Sequence, residues 1–576
     1  MSPKKESRPE VNALLAFALS LLVLFAFNHF YKPTIPPLAK QTAAHQQGMQ
    51  PAPSLPATSA IAAAPTDTTS AGPATAVQAS EEKTIVVESP LYRVVLSNRG
   101  AVAKSWQLSK YSDDKKPPHP LDLVSPEGSQ QVGAWPLSLI LPDAASEDKS
   151  ATALYRMTPS ESTVTAPAEV SFEWSDGHLA VRKNLKFGTD YVVDMGVTVT
   201  LDGKPMPVGV AWRGGFGDPD VYKASQLVTV FYDTNDKLTL LPYKKLGIPN
   251  QQQTPAQQPG AMSFTGIEDQ FFAAAFLADN SGLALWHWTE ERNIKEGDTT
   301  SQQPIAEMAA GTASAEPLQT RLFVGPKDLT LLSRQNPPLN ELVNFGWISF
   351  IAKPLLEVLK WIHHYIPNYG WAIIILTIVI NTALFPLKLK SWRSMQKMQR
   401  VKPQMDSIQA KYKKLAMNDP RKKKMNEEMM ELYKREGVNP VGGCLPMLLQ
   451  FPVWAALYRT LGGAIELRHA PWILWVHDLS TYDHTYILPV LMTLTMYITQ
   501  KMTPQSAAVD PMQQKMFAFM PLIFGFLFFH SSSGLVLYIL TSNLVNMGQQ
   551  YFLNRTEPLP AGPSRMQKMK RLATSK

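Results

Sequence analysis

Five apolar segments crowd the last third of this chain, at 369–387, 445–467, 486–502, 516–530 and 535–553, and four of them carry polar residues inside. A polar side chain in lipid costs several kcal/mol unless it faces a partner or water. Segments of this kind therefore imply a protected surface within the bilayer, most simply a place where something else binds. A basic loop, 388–440, separates the first segment from the second. It holds 15 Lys/Arg against 6 Asp/Glu, a surplus of 9, while the whole chain carries +8. The basic character thus belongs to one loop, and the rest of the surface is about neutral.

The 576 residues leave room for several domains. Lys4, Lys5 and Arg8 precede an apolar run at 11–31, long enough to cross a bilayer as a helix. Lys32, Pro33, Pro36 and Pro37 follow it, where a cleavable signal would have small residues. Residues 1–32 therefore read as an uncleaved transmembrane anchor with its basic end in the cytoplasm. Residues 33–80 are rich in Pro, Ala, Ser, Thr and Gln, too poor in large apolar groups to repay chain ordering, and read as a disordered linker.

Residues 81–335 read as a large all-β sandwich domain. Short β-rich runs occupy 84–88 and 91–97, and 193–201 alternates, with Val197, Val199 and Leu201 on one face. Asn98-Arg99-Gly100, Asp176-Gly177 and Asp202-Gly203 supply turns, and 251–258 reads as a polar, mobile loop. At 340–362 an amphipathic pattern predicts an interfacial helix, with Pro354 preventing one straight rod. Cys444, the single cysteine, excludes an internal disulfide and reads as a small packing residue.

With the anchor running outward, the β domain lies outside. The five later spans then place 388–440, 501–515 and the basic tail 554–576 inside. Each of these is rich in Lys/Arg, whereas 466–485 outside has only Arg468, in agreement with the positive-inside rule. The fold class is a polytopic α-helical membrane protein of six transmembrane helices with a large all-β domain, both termini cytoplasmic.

The polar residues of the spans share faces. Thr377, Asn381 and Lys388 stand four and seven residues apart. Gln450 aligns with Trp454. Met492 groups with Thr495, Met496 and Thr499, and Tyr538 with Ser542 and Asn546. Converging, these stripes line a wet groove; the alternative is that each bonds to a neighbouring helix and holds the bundle together. In the basic loop Met395, Met398, Val401 and Met405 follow a helical period, Asn418-Asp419-Pro420 breaks it, and Met425, Met429 and Leu432 resume it. That is an antiparallel hairpin with a Met-rich seam, fit to adapt to varied apolar partners or to pack on itself beside anionic lipid.

Several strings match a known family: Asn439-Pro440-Val441-Gly442-Gly443-Cys444-Leu445-Pro446, Asp510-Pro511-Met512-Gln513-Gln514-Lys515, Ser533-Gly534-Leu535-Val536-Leu537-Tyr538, Phe345-Gly346-Trp347, and Trp475-Val476-His477-Asp478-Leu479-Ser480. Over 345–553 the chain resembles the YidC/Oxa1/Alb3 family of membrane protein insertases in its Gram-negative form. The resemblance implies a five-helix core in the inner membrane, with a hydrophilic groove open to cytoplasm and lipid and closed outward. It also implies a periplasmic β-supersandwich and a hairpin that receives substrate. Groove positions carried over are Thr377, Asn381, Trp454, Met492 and Tyr538. Family members commonly have an arginine where this chain has Asn381. Two substitutes are conceivable: Lys388, about 10 Å nearer the cytoplasm on the same face, and Arg459, with Glu466 as its partner. The family's second aromatic after Tyr538 is replaced by Ile539.

The implied function is insertion and folding of nascent membrane proteins, alone or with the Sec translocon, by a monomer. Basic hairpin and tail suit anionic lipid or ribosomal RNA. The mechanism is physical: a polar flank enters the wet groove while the apolar part slides into lipid. No P-loop pattern is present, and His363, His364, His469, His477 and His484 lack zinc spacing. No catalysis, cofactor or metal is expected. A small-solute transporter or channel remains the alternative, although no internal repeat supports it.

Overall fold

The computed structural model describes residues 76–113, 115, 117–218, 228–242, 246, 256–279, 282–296, 299–343, 345–412, 421–437, 445–503 and 511–557. The expected anchor at 1–32, most of the linker, Cys444 and the tail beyond Glu557 lie outside them. The chain divides into two units, 1–70 with 510–517, and 71–509 with 518–576. Of the first, only the opening of one helix is described; the remainder concerns the second.

Alternation builds the β domain. Along Leu179–Phe187 every second side chain is buried, and Val192–Leu201 does the same until its end. Val197 and Val199 are buried, but Leu201, expected on their face, is exposed beside the turn that follows. Asp202 (φ 49°) and Gly203 (φ 76°) form that turn, the two-residue geometry that matches strand twist. Three sheets result. The first runs Pro120–Asp122, Val102–Ser112, Tyr92–Ser97, Thr84–Glu88, Thr163–Thr165. The largest runs Leu238–Pro242, Thr229–Asp233, Phe264–Glu268, Phe272–Ala278, Leu318–Pro326, Val192–Leu201, Leu179–Phe187, Ala168–Ser175, Arg156–Thr158. The third runs Ala256–Met262, Leu283–Glu296, Thr299–Gly311, Gly209–Trp212, Ser138–Ile140. Trp106 joins the rings of Phe187 and Trp212 in the core, at 6.3 and 6.2 Å.

Two boundaries shift. Val77 pairs with Ser175, and Ala79 N donates to Leu154 O at 2.9 Å, so the last residues of the expected linker belong to the β domain. Ala256–Met262 is a strand beside Leu283–Glu296, not part of a mobile loop. Residues 251–255 lie outside the described ones.

Beyond the β domain, two short 3₁₀ turns, Asn340–Leu342 and Gly346–Ile348, lead into α1 (Ser349–Tyr365). Pro354 sits inside α1, which continues through it. The proline lies in the second turn and forfeits one bond, to the carbonyl of Phe350. Ala352, Leu356, Leu359 and Ile362 form the buried stripe, and Phe350, Val358, Trp361 and Tyr365 stay exposed. α2 (Tyr369–Ala383) begins at Asn368, whose side chain accepts from Trp371 N. It stops short of the expected 387. At Leu384 the chain bends by 50° into α3 (Phe385–Tyr412), where Pro386 offers no N–H to the carbonyl of Thr382.

α3 returns against α4 (Arg421–Arg435) as the expected hairpin. Then come α5 (Leu445–Gly463), α6 (Ile487–Met502), α7 (Pro511–Phe528) and α8 (Ser533–Thr556). α5 ends before the expected 467, which falls in a 3₁₀ turn, Ile465–Leu467. α8 is the axis of the bundle: every residue from Ser533 to Asn543 is buried, with α2 and α6 packed along it. Val490, Leu494, Phe519, Leu522 and Phe526 face outward and exposed, the apolar exterior a lipid solvent requires. Among the described residues no single helix combines the length and apolarity to cross a membrane, whereas the bent pair α2–α3 together has that length and composition.

The β domain is fastened to the helices by a buried ion pair. Arg468, just after α5, reaches Asp218 through Nε at 2.7 Å and Nη2 at 2.6 Å, and donates to Ser112 O at 2.8 Å. Gln270 Nε2 donates to Gly462 O at 2.6 Å nearby.

Candidate functional site

The polar stripes expected from sequence meet along α8. Helical spacing puts Tyr538, Ser542, Asn546 and Gln549 on one side of it. Gln450 Nε2 of α5 donates to Tyr538 Oη at 3.2 Å. Asn381 Nδ2 of α2 reaches Ser542 Oγ at 3.4 Å and its own Thr377 O at 2.9 Å. Lys388, in the first turn of α3, then places its ammonium among three side-chain oxygens: Asn381 Oδ1 at 2.9 Å, Asn546 Oδ1 at 2.6 Å and Gln549 Oε1 at 3.1 Å. Gln549 Nε2 turns the other way and donates to Asn381 O at 3.1 Å. Among the described residues no carboxylate forms an ion pair with Lys388.

The ladder grades from closed to open. Thr377, Asn381, Met492, Tyr538 and Ser542 are buried, and Lys388, Gln450, Asn546 and Gln549 are half-buried. A wet cavity along the whole stripe was expected; at its deep end the side chains instead satisfy one another. Thr377 Oγ1 bonds to Ile373 O at 2.6 Å within its own helix, as Ser and Thr commonly do in such helices. Met492 is buried, its carbonyl accepting from Asn543 Nδ2 at 3.4 Å, and Met496 is half-buried one turn on. Trp454 stands apart in an aromatic group with Phe451, Tyr458 and Phe528, centroids 5.7–6.2 Å away.

Of the two candidate substitutes for the missing arginine, Lys388 touches Asn381. Arg459 is exposed, and Glu466 pairs with Lys360 at 2.6 Å instead of with Arg459. Sequence reasoning missed Asn543 and Gln549. The signal for Gln549 was present, one turn beyond Asn546 on the same stripe.

The hairpin seam turns inward. Met398, Val401 and Met405 of α3 pack with Leu432 and Tyr433 of α4, so Met398 and Met405 are buried and not offered to a client. Two amphipathic helices bury their apolar stripes in each other before anything else arrives. Met395, Met425 and Met429 are half-buried, while Met430, not singled out from sequence, is 52% exposed. At the hairpin's root Arg393 grips Glu557, the residue after α8, with Nε and Nη2 at 2.9 and 2.6 Å. Among the described residues no group of three His, Cys, Asp or Glu is placed to hold a metal.

Fold and site together define a class: a bundle of helices with an apolar exterior joined to a large β domain, whose helices hold a polar ladder instead of a uniformly apolar interior. Residues 361–559 match the family described as 60Kd inner membrane protein, and residues 84–358 match the YidC periplasmic domain. The membrane protein insertase YidC of Geobacter metallireducens is 35% identical over 559 residues, covering 95% of this chain and 98% of that one. Its counterpart from Syntrophus aciditrophicus is also 35% identical, covering 94% and 99%. A crystal structure of an active YidC insertase with its first transmembrane domain resolved is similar at 19% identity and a TM-score of 0.33, covering 83% of this chain and 94% of the other. The chain belongs to the YidC family of membrane protein insertases.

Proposed function

We propose that the protein inserts nascent integral membrane proteins and helps them fold, and that the ladder on α8 is where a client's polar flank is carried. The supporting observation is the gradient along that ladder, with Lys388, Asn546 and Gln549 half-buried at one end and Asn381, Ser542 and Tyr538 buried further along, where half-buried Gln450 bonds to Tyr538. A flank entering at the open end exchanges water for amide and hydroxyl partners, which lowers the desolvation barrier. Its apolar neighbour then moves into lipid, where burial is downhill by about 25 cal/mol per Å². Nothing in this scheme needs a covalent step, a cofactor or a metal.

Lys388 replaces the groove arginine of relatives as the fixed positive charge. The protein spans the inner membrane six times with both termini in the cytoplasm and the β domain in the periplasm. The hairpin and basic tail meet anionic lipid and the ribosome, and the Sec translocon shares some clients. The protein works as a monomer. The test is depletion in cells followed by scoring of small membrane proteins. Their failure to insert, with rescue by the purified protein in vesicles, supports the reading. Solute flux through those vesicles, with insertion intact after depletion, replaces it with a transporter.

A further inference from the structure

The turn at 473–476, in the loop between α5 and α6, has two features that a turn facing water lacks. Leu474 stands at the first of its two central positions with φ 53°, a conformation that glycine ordinarily supplies and that is strained for leucine. Its side chain is also 75% exposed, and Ile473 beside it is exposed as well. No residue from Ala470 to Val476 carries a charge, whereas turns at a protein surface draw on Gly, Pro, Asn, Asp and Ser.

The base of the turn is firmly held. Trp472 N donates to Val476 O at 3.0 Å, and Val476 N donates to Ile473 O at 3.1 Å. Asn368 Nδ2, at the start of α2, donates to Pro471 O at 3.2 Å and to Trp472 O at 3.1 Å. The Trp472 ring lies so close to Gly370 that a Cβ there would meet it at 2.1 Å, and it meets the Trp371 ring edge-on at 6.0 Å. Trp475 Nε1 reaches Asp483 Oδ2 at 3.4 Å, and Val476 is buried in the core. A leucine held strained and uncovered on so rigid a base answers to something outside the chain, since three-quarters of its surface meets nothing within it.

The setting favours lipid over protein. The turn is fastened to the first residues of α2, part of the bent pair with the length and composition of a span, and Trp371 there is 44% exposed. Tryptophan beside uncovered aliphatic side chains at the end of a span is the arrangement of a membrane interface, with the ring at the headgroups and the aliphatic chains below. A stable protein interface takes about 20 residues a side and a polar rim, and this tip offers two aliphatic residues and no charge.

We infer that the turn 473–476 is a lipid-seated tip: Ile473 and Leu474 lie among the phospholipid acyl chains of the outer leaflet, Trp371 lies at the headgroups, and the loop so held steadies the outer end of α2. This rests on the proposed topology, which puts 466–485 outside, and adds to it a lipid contact for that loop.

The test uses full-length C444S protein in phosphatidylethanolamine–phosphatidylglycerol vesicles, with one NBD fluorophore on L474C, I473C or H477C. His477 is exposed just past the turn. Phosphatidylcholine with a nitroxide high on its acyl chain quenches from the lipid, and cobalt ion quenches from water. The labels at 473 and 474 should lose most of their emission to the nitroxide lipid and little to cobalt, and the label at 477 the reverse. The fluorophore is itself apolar, so the label at 473 is also read with Leu474 replaced. L474D should abolish most of the nitroxide quenching there and expose the label to cobalt. L474G, which removes the side chain and relieves the strain, should lower the nitroxide quenching while unfolding no earlier on heating in detergent. Cobalt quenching at 473 and 474 equal to that at 477, or nitroxide quenching at 473 that L474D leaves unchanged, overturns the inference. Shielding at 474 that appears only when a second protein is present also overturns it, and makes the tip a protein contact. The topology is read separately: an impermeant maleimide should block H477C in intact spheroplasts. Blocking only after lysis removes the topology, and the outer leaflet with it, whatever the quenching shows.

Discussion

Lys183 lies in the interior of the β domain with three backbone carbonyls for company: Gly100 O at 3.2 Å, Ala101 O at 3.0 Å and Leu137 O at 2.8 Å. All three belong to residues with positive φ, at 71°, 50° and 71°, so the ammonium gathers the oxygens of unusual turns that no strand collects. Burial pushes this lysine down to about 7 from its ordinary 10.5. Between those values the unfolded chain binds a proton that the folded chain does not, so stability rises with pH across that window. Thermal unfolding of the full-length protein from pH 7 to 10 should show that rise, and K183M should have a shallower slope, Lys104 being lowered as well; a slope unchanged in K183M contradicts this assignment. Lys183 was legible in advance, since Leu179, Val181, Leu185 and Phe187 fill the other inward positions of its strand. Asn381 and Lys388 were legible in the same way, through a shared helical face. What sequence could not supply was the partner helix: the role of Gln549 depends on where α8 crosses the bend in α2–α3, and that crossing is a matter of tertiary packing.

Among the elements, the hairpin shows how a correct period can mislead about exposure. The Met seam was placed on the right residues, but α3 and α4 close it over Met398 and Met405. A strip of apolar side chains on each of two adjacent helices buries itself, because no contact is closer at hand. M405A should therefore cost about 2–5 kcal/mol of local stability, as buried large-to-small changes do, seen as faster hydrogen exchange in α4. M430A, at an exposed position, should leave exchange within about 0.5 kcal/mol of the original. Equal effects would mean that the seam is not closed in solution. The helix ends were read less well. The first core span was carried to 387, yet Pro386 ends α2 at Ala383 and gives residues 385–387 to α3. Strands with strict alternation were placed closely, whereas Ala256–Met262, rich in Gln and containing Pro259 and Gly260, carries no such pattern and is a strand only through its pairing with Leu283–Glu296.

For the whole molecule, the outer attachment and the inner ladder are two of the places where distant parts of the chain meet through polar groups. Asp218 and Arg468 are 250 residues apart in sequence and form a pair whose side chains are 2% and 3% exposed. Removing one partner leaves a buried uncompensated charge, so R468M or D218L should each cost about 3–5 kcal/mol. The double variant should recover most of that loss in thermal unfolding of the purified protein; additive losses would show that the two groups act separately. No sequence pattern announces this pair, since each member lies in a loop and only the docking of the β domain brings them together. The account as a whole depends on the ladder of α8 being the path of a client's polar flank. Photo-crosslinkers placed one at a time at Gln450, Asn546 and Phe526, during synthesis of a short single-span client, test that most directly. Gln450 and Asn546 are half-buried beside the ladder, and Phe526 is exposed on the outer apolar face. The polar flank should be captured from Gln450 and Asn546 and not from Phe526, whereas capture of the flank from Phe526 alone, or from none of the three while insertion proceeds, would contradict the account.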